Sequence, residues 1–277
     1  MQLVSRTIYW LFLTLLTAIG TYGAPAQRIV STNGTLSEIL VGLGLEKQIV
    51  GVDITSTYPA SLEKITKIGH NRTIAAEGIL TLNPDVILYT DQSMIPPAVV
   101  KQLNSSGKKL VLFRHEYSKD GAIRLIREVG AYFNAQGQAE KMVRVLQADL
   151  TKIPAPANPK KLLFIYARGT GTLMVSGTGT SLDKMFTLAG HRNAVTGFAD
   201  FKPLTAESLI TANPDVLVLF SSGLESLEGI DGLLKIPGIA NTNAGKNRKV
   251  ITMDGQFLTG FGPRLGKAAT ELSQKVK

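Results

Sequence analysis

The sequence predicts an α/β protein of two lobes, each a parallel sheet covered by helices, with a long helical segment between them. Three observations lead there. Residues 76–88, AEGILTLNPDVIL, recur as residues 206–218, AESLITANPDVLV, identical at seven of thirteen positions with an offset of 130. Short β-branched apolar runs alternate with helical patterns through both halves, as in strand–helix–strand units. Between the halves, residues 119–152 carry apolar side chains at three- and four-residue spacing. An offset of 130 is too long for a solenoid, so the repeat marks a duplicated lobe.

The elements can be justified in chain order. Residues 1–26 hold one charge, Arg6, an apolar run from Ile8 to Ile19 and then the small residues GTYGAPA. This is the pattern of a cleaved signal peptide, ending at Gly23 or Ala26 and too short to span a bilayer. RIVS (28–31) reads as a strand, SEILVGLGL (37–45) as a helix closed by Gly44, and IVGVD (49–53) as a second strand. LEKITKIG (62–69) leads into the first repeat copy, where a helical turn bearing Glu77 stops before Asn83-Pro84-Asp85 and a strand follows. Pro84 and Pro214 cannot continue a helix, and they bias the preceding Asn away from the right-handed helical region. PPAVVKQLNSSG (96–107) then forms a helix and KLVLF (109–113) a strand. Helical stretches over 119–134 and 136–152 follow, the second long enough to span about 25 Å. Past the prolines of IPAPANP, the segments KLLFIYA, SLDKMFTLAG, the second copy with Glu207, LKIPGI and KVITMD alternate in the same way. The expected division is a first lobe over 27–117, a linking helical segment over 118–155 and a second lobe over 156–277. Clefts between such lobes are where ligands go.

Composition narrows the chemistry. The 277 residues hold 30 Lys and Arg against 21 Asp and Glu, a net charge of +9, with three His and no Cys. Absent Cys excludes disulfides, thiolate metal sites, iron–sulfur clusters and a cysteine nucleophile. Any metal must be held by His, Tyr, carboxylate or a cofactor. Lipid-anchored exported proteins of bacteria carry a Cys at the cleavage site, so a free periplasmic product is expected. Scattered Lys among 27 Gly form no basic stripe for nucleic acid. The Gly-rich run ARGTGTLMVSGTGTS lacks G-x-x-x-x-G-K-[ST], its G-x-G-x-x-G spacing fails at Leu182, and no G-x-S-x-G or H-E-x-x-H occurs. A binding protein fits better than an enzyme, and an exported hydrolase is the reading least supported.

With the repeat, GVDITSTYP (51–59), IGHNRTIAAEGIL (68–80), LMVSGTGTS (173–181) and TGFGPR (259–264) in view, the mature chain resembles the periplasmic binding proteins that serve iron-complex, cobalamin and heme importers, and within them the heme-binding members. The resemblance implies two Rossmann-like lobes joined by a single long helix, the class III arrangement. It implies capture of ferric heme in the cleft as transported ligand, with Tyr58 of the Ser-Thr-Tyr-Pro segment as iron ligand. Phenolate is a hard anionic oxygen ligand suited to ferric iron. A cation should assist loss of a phenol proton that ordinarily leaves near pH 10; Arg72 is the candidate, for that role or for pairing a heme propionate. Arg168 is a candidate for the other propionate. Phe257 and Phe261 could pack on the porphyrin or belong to the core. His70 could be a second axial ligand or a hydrogen-bond partner, His115 could face the cleft, and His191 follows a helix; none is assigned as ligand. Glu77 and Glu207, matched by the repeat, are implied to dock onto the two subunits of an ABC permease with its ATPase. An outer-membrane heme receptor is a candidate upstream partner, and a monomer is expected. A ferric siderophore or cobalamin is the alternative cargo.

Overall fold

The computed structural model describes residues 27–70, 73–93, 95–171 and 173–277. The expected signal peptide lies outside them. The first half builds a four-stranded sheet from β1 (Ile29–Ser31), β2 (Ile49–Val52), β3 (Val86–Thr90) and β4 (Lys109–Phe113), in the order β2-β1-β3-β4 and parallel throughout. Its helices are α1 (Gly34–Gly42), α2 (Ala76–Leu80) and α3 (Pro97–Ser105). Asn33 starts α1 by accepting from the backbone N–H groups of Thr35 and Leu36, the usual role of an Asn N-cap.

Two helices follow, α4 (Lys119–Tyr132) and α5 (Gln136–Leu150). They pack closely on each other through a connection in which Asn134 takes φ +54°. Gly130 permits this approach, since a Cβ there would meet the Ala139 Cβ at 2.4 Å. The helix that crosses to the second half is therefore α5, with α4 packed beside α1 and β4.

The second half contains β5 (Lys161–Ala167), β6 (Leu173–Ser176), α6 (Ser181–Leu188), β7 (Arg192–Asn193), β8 (Phe201–Pro203), α7 (Ala206–Ala212) and β9 (Val216–Phe220). It continues with α8 (Ser221–Glu225), α9 (Gly229–Leu234), α10 (Asn243–Lys246), β10 (Val250–Met253), α11 (Gly255–Thr259) and α12 (Leu265–Lys275). Its sheet runs β10-β9-β5-β6-β8, with β7 also on β5. Here the expectation of an all-parallel sheet is corrected, because β6 is antiparallel to both β5 and β8. The physical reason is loop length: residues 168–172 are too few to carry a crossover, so β6 returns as a hairpin.

Both faces of each sheet are covered, and alternate strand residues enter different cores. Ile29, Val86 and Leu88 face one cluster, while Val30 and Ile87 face another. Likewise Phe164 and Val218 face the first cluster, and Leu163 and Leu217 a third. The first cluster is continuous between the halves, running from Leu36 and Leu40 through Val143 and Leu146 of α5 to Leu272 of α12. No helix among the described residues is long and apolar enough to cross a membrane.

The repeat has a structural meaning. Asn83 and Asn213 take φ of +43° and +36°, the left-handed region that ends a helix. The following Asp closes the turn onto a neighbouring strand in both copies. Asp85 Oδ2 accepts from the Arg28 N–H at 2.7 Å, and Asp215 Oδ2 from the Lys161 N–H at 2.9 Å. The basic side chains also correspond, Arg28 donating to the Leu82 carbonyl at 2.7 Å and Lys161 to the Ala212 carbonyl at 3.1 Å.

Candidate functional site

The loop after β2 is fixed by buried polar groups before it reaches Tyr58. Asp53, fully buried, accepts from the Thr55 N–H at 3.0 Å, from the Thr55 hydroxyl and from Ser56 Oγ at 2.6 Å. Ser56 Oγ lies 2.7 Å from Ser37 Oγ, and Ser37 Oγ donates to Ser31 Oγ at 2.8 Å, which ties the loop to α1 and β1. Lys67 Nζ donates to the Ser56 carbonyl at 2.9 Å. Ile54 N–H donates to the Gly69 carbonyl at 3.1 Å, so the segment ending at half-buried His70 runs beside this loop. The base of the loop is held by these hydrogen bonds, yet Ile54 and Tyr58 at its tip are 45% and 46% exposed, high values for side chains of this size.

A guanidinium from the other end of the chain covers Tyr58. The Cζ of Arg264 stands 3.7 Å from the centroid of the Tyr58 ring and 4.9 Å from that of Phe257, within cation–π range of both. Arg264 Nε donates to Glu38 Oε1 of α1 at 2.9 Å. Glu38 is buried, and burial pushes its carboxyl above the ordinary carboxylate range while the Arg264 bond pulls it back. Two further bonds join the same surfaces, Thr35 Oγ1 to the Gly260 carbonyl at 2.6 Å and Gln256 Nε2 to Thr35 Oγ1 at 3.1 Å.

On the second sheet, Tyr166 and Phe220 lie at the carboxyl ends of β5 and β9, where ligands gather in such folds. Their rings pack edge to face at 6.3 Å. Exposed Arg168 stands 5.8 Å from the Tyr166 ring centroid.

The structure thus brings Tyr58 and Phe257 onto one guanidinium and places His70 beside the Tyr58 loop. Arg72 lies outside the described residues; among the described residues Arg264 is a cation that stands over Tyr58. The sequence reading passed over Arg264 and Glu38, although Arg264 ends the TGFGPR motif. Phe261 belongs to the core: it is 2% exposed and packs on Tyr117 at 5.4 Å. His115 lies buried beneath it, Nε2 at 3.4 Å from the Phe261 carbonyl, and burial pushes its pKa down. Burial and the nearby Asp91 push the Tyr117 phenol up to about 12. His191 is at the opposite end of β5, where Nδ1 accepts from the Lys160 N–H at 3.2 Å.

Glu77 and Glu207 are both exposed, in the first turns of α2 and α7. Each helix ends at the Asn-Pro-Asp turn that starts a strand, so each first turn lies toward the carboxyl end of its sheet.

The family model described as "Periplasmic binding protein" matches residues 29–257. A solved structure of the periplasmic heme-binding protein RhuT from Roseiflexus sp. RS-1, in apo form, superposes with a TM-score of 0.86 at 38% identity, covering 90% of this chain and 97% of that one. An uncharacterized ABC transporter substrate-binding lipoprotein of Bacillus subtilis is 27% identical over 90% of this chain and 80% of its own length. A vitamin B12-binding protein of Photorhabdus laumondii is 24% identical over 92% of this chain and 89% of its own.

Proposed function

The chain belongs to the periplasmic binding protein family, and from that premise we propose that it captures ferric heme between its lobes through the Tyr58 phenolate and delivers it to an ATP-driven importer. The observation that carries this reading is an exposed tyrosine on a hydrogen-bonded loop with a guanidinium 3.7 Å from its ring centroid. Ferric iron prefers a hard anionic oxygen, which a tyrosine side chain can supply. Phe257, Tyr166 and Phe220 supply aromatic surface on the second lobe, and Arg168 is placed to meet a propionate. Sequence identity favours heme over cobalamin as cargo, 38% to a heme-binding protein against 24% to a vitamin B12-binding one. The site of action is the periplasm, and a chain with no Cys offers no residue for a thioether-linked lipid.

Hemin titration followed in the Soret region tests the assignment. Wild type should give a saturable bound-heme spectrum. Tyr58→Phe should shift that spectrum and weaken affinity by more than the roughly 10–100-fold typical of losing an outer-shell partner. An unchanged Tyr58→Phe spectrum removes the phenolate from the site, and saturable binding of cyanocobalamin without hemin binding replaces heme with cobalamin.

Glu77 and Glu207 are the docking charges for the two permease subunits, a pseudo-symmetric pair meeting a symmetric partner. With both changed to Lys, the loaded protein should no longer stimulate the importer's ATPase while hemin affinity stays at the wild-type value. Stimulation that survives the double reversal sinks the docking role.

A further inference from the structure

Among the described residues, the ion pair between Arg264 and Glu38 differs from the others in where it lies. The two side chains are 18% and 8% exposed, whereas Arg124–Glu116, Arg127–Glu140, Arg248–Asp231 and Lys275–Glu271 are at least 42% exposed on both sides, and Lys152 of the Lys152–Asp149 pair is 67% exposed. A buried ion pair is weak evidence for stability, because desolvating both charges offsets their attraction. What this pair does supply is geometry. Glu38 holds the guanidinium by Nε, and the same group meets Tyr58 at 3.7 Å and Phe257 at 4.9 Å.

The two partners are 226 residues apart, Glu38 on α1 and Arg264 immediately before α12. Glu38 is on the α1 face that also carries Thr35, one turn earlier, and Thr35 is bonded to Gly260 and Gln256. Residues 260–264 are pressed against that face so closely that a Cβ at Gly262 would meet Thr35 Cγ2 at 2.6 Å. An arginine on a long flexible stem would otherwise sample many rotamers. Here the backbone before it and the carboxylate beyond it are both anchored on α1.

We infer that Glu38 is a positioning residue for the binding site: its carboxylate, on α1, fixes the Arg264 guanidinium against the Tyr58 ring. The inference rests on the reading of Tyr58 as ligand only for its functional consequence. Asp254 and Lys267 are the other charged groups acting on Glu38.

The test begins in ligand-free protein. Exchange of the Arg264 Nε–H with solvent is measured by ¹⁵N NMR, the resonance being assigned by its loss in Arg264→Met. Glu38→Gln should accelerate exchange by about tenfold or more, the effect expected from losing one charge-assisted hydrogen bond. Glu38→Asp, which keeps the carboxylate one methylene short, should restore part of the protection and serves if Glu38→Gln does not fold. Hemin dissociation then supplies a double-mutant cycle. Arg264→Met should speed hemin loss in the wild-type background and have a smaller effect in Glu38→Gln. Wild-type exchange in Glu38→Gln, or strictly additive dissociation effects, overturns the positioning role. If wild type binds no hemin, the heme reading fails while the exchange measurement still decides the role of Glu38.

Discussion

Asp85 and Asp215 make the same bond in the two repeat copies, accepting from the N–H of Arg28, just before β1, and of Lys161, the first residue of β5. Their surroundings differ, Asp85 being exposed and Asp215 partly buried beside Asn243. Asp215→Ala should therefore destabilise by about 1–3 kcal/mol, the penalty for leaving a shielded donor unpaired, and by more than Asp85→Ala; urea unfolding of the two variants gives the comparison. At this scale the place of Tyr58 in a loop after the strand IVGVD was legible, because the strand and Ser-Thr-Tyr-Pro are contiguous. Arg264 was not, because its partner Glu38 lies 226 residues away along the chain.

Helix α5 shows what an element contributes. Its apolar spacing was readable, and Ala139, Val143 and Leu146 are all buried as that spacing requires. The spacing leaves open which helix they meet; the structure packs α5 on α4, α12 and α1. Since its buried face belongs to a core shared by both sheets, Leu146→Ala should cost about 2–5 kcal/mol without splitting unfolding into two steps. Circular dichroism and tyrosine fluorescence should give coincident transitions in the variant as in wild type. Separate transitions for the two lobes contradict a shared core. The β5–β6 hairpin is the opposite case: β5 was legible in KLLFIYA, but β6 was not assigned as a strand, and the expectation of parallel sheets took no account of the short connection after β5 that reverses the chain.

For the whole molecule, acidification tests the packing. His115 and His191 are buried, and burial pushes both pKa values below the usual value, with Lys160 adding to the effect at His191. An unfolded chain takes up those protons near pH 6.5 while the fold resists them. More protons bound in the unfolded state means that stability falls as pH drops below that point, and the loss levels off once the folded-state values are passed. Thermal melts from pH 7.5 to 5 should show a declining Tm, with a shallower decline in His115→Gln/His191→Gln. Equal slopes would clear the histidines and leave the growing positive charge of an already basic chain as the cause.

The sequence by itself determined the duplicated α/β plan, the Asn-Pro-Asp turns, the exclusion of thiolate chemistry and the place of a tyrosine in the loop after the second strand. These rest on local rules, on proline and asparagine backbone preferences, apolar periodicity and residue chemistry, which act over a few residues. Only the tertiary structure decided that Arg264 covers Tyr58, that Glu38 holds it there, that Phe261 and His115 are interior and that one core runs through both lobes. Those outcomes depend on which surfaces are pressed together when α1 meets residues 256–264. That contact is fixed by the packing of α5 and α12 between the sheets, and no short stretch of the chain encodes it.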